Sequence, residues 1–77
     1  MDKILEYEGI KLCRTMGQYF LQYDAGELMI KMKSLMITEG EANQIIQRPD
    51  AAYKTIISYQ DRGIYGEDLV HLTRDIG

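Results

Sequence analysis

Lys54, Ser58 and Arg62 recur at four-residue intervals downstream of Arg48, a spacing that would set two cations and a hydroxyl on one face of a helix. Such a stripe has a definite chemistry. Lysine and arginine meet phosphates or guanine edges, and short hydroxyls also contact phosphates. Pro49 and Gly63 bracket the segment, and helix, tight turn, helix is how many small regulators set a reading helix into the major groove of DNA. Asp50 and Asp61 share the segment, so residues 48–62 hold three bases and two acids, a net of +1. Because affinity for phosphates grows through counterion release, so few bases predict weak and strongly salt-sensitive binding. The same residues also suit the solvated outer face of an ordinary core helix.

Covalent and metal chemistry find less support. Cys13 is the one thiol and His71 the one imidazole, which leaves no cysteine–histidine set for a structural zinc. Cys13 falls on the apolar side of the helix expected around it, where a thiol is inert packing, and no third, orienting group accompanies the pair. Glu39 with Glu41, and Glu67 with Asp68, are acids at expected helix starts, favoured by the helix dipole and lacking the spacing of a metal site. No glycine-rich phosphate loop is present. The expectation is a protein that is not an enzyme, with no cofactor and no metal.

Two further groups point to protein surfaces. Six tyrosines stand against one phenylalanine and no tryptophan. Each couples an apolar ring to a hydroxyl that needs water or a partner, which suits the rim of a core and equally a binding face. Tyr7 and Tyr65 are the two expected off the core. Met29, Met32 and Met36, with Met16, make a deformable apolar set suited to an adaptable interface or to filling a core.

The elements that must carry these groups read as helices. Over residues 3–23, Leu5, Leu12, Met16, Tyr19, Phe20 and Tyr23 share one side of a helical wheel, with Lys11, Thr15, Gln18 and Gln22 opposite. Tyr7, Ile10 and Leu21 form a second apolar flank, taken as interface together with the methionines and Tyr65. Gly9 and Gly17 each weaken such a helix by about 1 kcal/mol. Asp24 and Glu27 look like a capped restart for a helix over 25–36, although Leu28, Ile30 and Met32 also alternate as in an edge strand. Helix is preferred there because leucine, methionine and lysine are good helix formers and no clear partner strand follows. Thr38-x-x-Glu41 opens a helix over 39–47, which must end before Pro49. A fourth helix spans 50–62, with a broad apolar face of Ala52, Tyr53, Ile56, Ile57 and Tyr59, and Gly63 closes it. A short one follows at roughly 66–75, carrying Leu69, Leu72 and Ile76 inward.

The tract YQDRGIYGEDLVHLTRDIG, about a quarter of the chain, resembles the end of the short helix–turn–helix repressors of phages: a helix end, a glycine, then an amphipathic helix. The helix pair before it departs from that family, with a proline–aspartate step and extra residues in place of a compact turn. The resemblance implies a regulator and carries no residue roles with it.

Residues 1–77 thus read as one all-α domain of four or five helices, with 45% apolar and 27% charged residues, near the lower size limit for folding unaided. A core this small makes a homodimer the expected assembly. The start MDKILEYEGIK lacks a signal-peptide run, and no stretch reaches the ~20 apolar residues of a membrane span, so a cytoplasmic protein with no membrane partner is expected. The net charge of −3 supplies no long-range pull on nucleic acid. The function expected is a small acidic regulator, an inhibitor or adaptor of phage or mobile-element type, that binds and modulates a larger protein. The alternative is a DNA-binding regulator using helix 50–62.

Overall fold

The computed structural model describes residues 2–26 and 28–69. The expected first helix is replaced by three antiparallel strands: β1 (Asp2–Tyr7), β2 (Ile10–Thr15) and β3 (Gln18–Asp24). Two tight turns make the difference. Glu8-Gly9 and Met16-Gly17 each hold positive φ at both positions, 49° and 85° in the first, 51° and 77° in the second. Such two-residue turns match the right-handed twist of the strands they join, and glycine takes the second position without strain.

The expected helix over 25–36 is also absent. Residues 25–26 and 28–31 lie in loop, and β4 (Met32–Ile37) pairs antiparallel with β3. Asp24 closes that loop. Its Oδ1 accepts the Gly26 amide at 2.9 Å and the Lys31 amide at 2.8 Å, while the Ala25 amide donates to the Lys31 carbonyl at 2.9 Å. These two amides hold the Asp24 carboxyl below the usual carboxylate range. Asp24 therefore does act as a cap, but of a loop; Glu27 lies outside the described residues. Gly26 is pressed so close to the loop's return that a Cβ would overlap the Met29 carbonyl oxygen. We expect Gly26→Ala to destabilise the protein by about 1–3 kcal/mol, the usual range for a steric change at a tight backbone site. Amide NMR shifts should concentrate in residues 24–32; shifts spread over the helices instead would contradict this picture.

The two following helices match expectation. α1 (Glu39–Gln47) opens on the full capping box, with the Glu41 amide donating to the Thr38 hydroxyl and the Thr38 amide to the Glu41 carboxylate. It stops at Arg48, which is extended before Pro49. α2 (Ala51–Asp61) ends as the sequence predicted: the Gly63 amide donates to the Gln60 carbonyl and the Ile64 amide to that of Tyr59. Beyond it, Glu67–Asp68 forms β5, a two-residue strand beside β4, where a helix over 66–75 was expected. Positions 70–75 of that expected helix, and Ile76 after it, lie outside the described residues.

The sheet order is β1-β2-β3-β4-β5, all antiparallel. Register places Leu5, Leu12, Leu21 and Leu35 in one transverse row across four strands. Ala42 and Ile45 of α1 and Ala52 and Ile56 of α2 join Leu12, Leu21 and Leu35 in a single buried cluster. The architecture is thus two layers, a sheet with both helices on one face, and not an all-α bundle. The opposite face carries the row Lys3, Cys13, Phe20, Met36, and among the described residues no helix covers it.

Candidate functional site

One end of the molecule brings together part of the exposed apolar surface, Tyr53 and Ile57 of α2 among it. The β1–β2 turn brings Tyr7, Glu8 and Gly9 beside α2, and Asp24–Gly26 lie across from them. Between these elements runs an open cleft of about 430 Å³. Its floor is apolar, from Ile10 and Ile56, and its walls include Tyr7, Tyr53 and Ile57. Tyr23 and Gln60 supply polar groups: the Tyr23 hydroxyl donates to the Tyr65 carbonyl at 2.8 Å and accepts from Gln60 Nε2 at 3.3 Å. Past Gly26, which also lines the cleft, Leu28, Met29 and Ile30 project as three consecutive solvated apolar residues, Leu28 at 98% exposure.

Helix α2 explains why Tyr53 and Ile57 face out. Ala52 and Ile56, four apart, point into the core. Tyr53 and Ile57 follow each by one residue, about 100° further round the helix, and remain exposed. The apolar face of α2 is wider than the core beneath it can cover.

Tyr59 ties α2 to α1. Its hydroxyl donates to Glu41 Oε1 at 2.6 Å, the same carboxylate oxygen that closes the capping box, and the Arg62 guanidinium lies 4.4 Å from its ring centroid. Partial burial pushes the Glu41 carboxyl up, but the hydrogen bonds from Thr38 and Tyr59 outweigh it, and the net displacement is downward. Burial first, then the Glu41 carboxylate, push the Tyr59 phenol up, so it remains a donor. A carboxyl whose folded-state pKa is depressed stabilises the fold above its unfolded-state pKa, and that contribution is lost as pH falls through the folded value. Thermal midpoints should therefore drop on acidification below the ordinary carboxylate range. Glu41→Gln should flatten part of that drop; an unchanged acid limb would contradict the assignment.

The residues expected at an interface are dispersed by this fold. Tyr7 and Ile10 meet in the cleft, Ile10 as part of its nearly buried floor. Leu21 is not on any flank: it is fully enclosed in the leucine row. Met29 is at the solvated loop tip, and Met36 is exposed on the helix-free face, where Met32 is half-buried. Tyr65 is half-exposed, and its carbonyl is committed to Tyr23. Leu28 and Ile30 belong to the 28–36 segment expected to carry the contact, whereas Tyr53, Ile57 and Glu8 were not expected there, although the breadth of the apolar face over 50–62 was a visible signal for the first two.

Of the DNA-facing set, Arg48 ends α1, while Lys54 and Ser58 are solvent-exposed on α2. Tyr53 and Ile57 share that exposed face. Arg62 folds back, with Nε 3.4 Å from the Ser58 carbonyl and its guanidinium over Tyr59. Cys13 is buried on the helix-free face of the sheet, and burial pushes its thiol pKa up, which disfavours the thiolate. His71 lies outside the described residues. Among the described residues no group of three or more His, Cys, Asp or Glu side chains could hold a metal ion, and no helix is long and apolar enough to cross a membrane.

No protein-family model, no curated protein and no solved structure matches the chain.

Proposed function

We propose that this chain is a non-enzymatic interaction protein that binds and modulates a larger protein through the cleft beside α2. The observation that carries the proposal is the placement of Tyr53 and Ile57. Both are held by a packed helix closed at its C-terminus by Gly63 and Ile64, both face solvent, and both flank a cleft with an apolar floor. Rigid aromatic and aliphatic anchors beside a hollow are what protein interfaces use at their centres. The loop tip Leu28–Ile30 extends the same end with adaptable apolar surface. A regulatory role in the cytoplasm and a homodimeric state belong to the proposal as well.

Affinity capture from the native host tests it. The wild-type chain should retain one stoichiometric protein, and a bait carrying Tyr53→Ala, with an unchanged thermal midpoint, should retain little of it. Equal retention on both baits would remove the cleft from the proposal, and recovery of the chain alone would remove the proposal itself.

DNA contact through α2 is the second reading, favoured by the short Arg48-Pro49-Asp50 joint between α1 and α2 and by the solvated Lys54 and Ser58. Against it, Tyr53 and Ile57 occupy the same exposed face and Asp61 ends the helix. Fluorescence anisotropy with random duplex at low salt decides it: no binding there excludes the phosphate term that any DNA reader needs.

A further inference from the structure

The charges around the cleft indicate what a partner presents. Three adjoining hollows run along α2, of about 430, 310 and 470 Å³. Their charged lining residues are Glu8, Asp24, Asp50 and Asp61 against the single cation Lys54. Asp24 is occupied by two backbone amides of its own loop. Glu8 and Asp50 are different. Asp50 stands at the N-cap of α2 without capping it, and neither carboxylate has a hydrogen-bond or ion-pair partner among the described residues.

The middle hollow sets these two free acids with Tyr7 and Tyr53. Aromatic faces attract a cation through the ring quadrupole, and carboxylates beside them add charge-assisted hydrogen bonds. Lys54 borders the same hollow on a flexible, well-hydrated stem that can swing into solvent. Next to it, the partly exposed Ile57 offers apolar area over the floor formed by the buried Ile56. We propose that the surface docks a protein segment carrying an arginine or lysine beside an aliphatic side chain. The cation sits among Tyr7, Glu8, Asp50 and Tyr53, and the aliphatic group covers Ile57. Arginine is favoured over lysine because its planar guanidinium both stacks on a ring and forks onto a carboxylate. The inference rests on the proposal that this end of the molecule is a protein-docking surface.

The test is selection of a displayed random dodecapeptide library on the full chain, followed by anisotropy titration of the labelled winners. The variants are Glu8→Gln with Asp50→Asn, and separately Tyr53→Ala. Winners should carry arginine or lysine next to an aliphatic residue, and the neutralised double variant should bind them about tenfold more weakly, the scale of two partly screened ion pairs. Raising ionic strength on the wild-type chain should weaken binding in the same direction, a measurement that needs no variant. Winners without cations, or equal affinity for the neutralised variant, overturn the basic-partner inference, while weakened binding to Tyr53→Ala still supports the docking surface. Failure to enrich any Tyr53-dependent peptide overturns both.

Discussion

Leu21→Ala is expected to destabilise the protein by about 2–5 kcal/mol, a large share of the total. Leu21 sits at the centre of β3, has Leu12 and Leu35 opposite it on either side, and exposes none of its surface. Truncating an enclosed leucine typically destabilises by about 2–5 kcal/mol, from lost transfer free energy and from the cavity left behind. At roughly 0.05–0.15 kcal/mol per residue, a chain of 77 residues has about 4–12 kcal/mol in total. The neighbours cannot collapse into the gap easily, because Leu12 and Leu35 are pinned by strand pairing and Ile45 by α1. Urea denaturation followed by circular dichroism reads the effect as a lowered midpoint at constant slope. Leu28→Ala, at a solvated loop tip, is the control and should change stability by less than about 0.5 kcal/mol. A loss below about 1 kcal/mol at Leu21 would mean that the leucine row is not the core.

The same row shows why the first half of the chain reads as a helix. Leu5 and Leu12 are seven apart, which places them on one side of a helical wheel, yet here they are cross-strand partners in a hairpin. Pairing across the turn at 8–9 thus imitates a heptad within the first hairpin. Two features hid the alternation of period two. Cys13 and Phe20 put bulky or apolar groups on the face opposite Leu12 and Leu21, so the strands look apolar all round. The turns also use Glu-Gly and Met-Gly, where a strong hairpin signal has asparagine or aspartate before the glycine. Over 28–32 the strand pattern was visible but had no partner downstream. Residues 28–31 are in fact loop; the strand begins at Met32, and its partner is β3, upstream, within the segment read as helix. By contrast α1 and α2 are set by local chemistry, the Thr38–Glu41 box, the residue before Pro49 and the Gly63 stop, and a local reading finds them.

The cleft was legible only in parts for the same reason. The wide apolar face of α2 is a short-range property, present in the spacing of Ala52, Tyr53, Ile56 and Ile57. That Tyr7 and Ile10 come to lie beside that face depends on the first turn folding back and on the sheet packing under the helix. Those are long-range consequences of register, which no helical wheel contains. Leu21 shows the converse: grouped with Tyr7 and Ile10 on a helical flank, it moves to the opposite environment once the backbone alternates.

Adjacent isoleucines on α2 should separate folding from binding. Ile56 is 4% exposed and belongs to the buried cluster, whereas Ile57 is 39% exposed beside the cleft and Tyr53 is 61% exposed. Ile56→Ala should cost about 2–4 kcal/mol by the cavity argument and lower the thermal midpoint by about 8–32 °C, at roughly 4–8 °C per kcal/mol for a domain of this size. Ile57→Asp should leave the midpoint within a few degrees, since a carboxylate there reaches water without opening a void. On the binding side the order reverses. A buried, unpaired charge at the centre of an interface typically costs several kcal/mol, so partner capture should fall at least a hundredfold with Ile57→Asp. Ile56→Ala, examined at a temperature where it is still folded, should retain most of the binding, because its side chain forms the floor and not the wall. The deciding comparison is a pair of melting curves beside a pair of capture titrations. If Ile57→Asp unfolds the chain, the wide face of α2 is core and the cleft is not a docking site; if it folds and still captures the partner, the partner binds elsewhere.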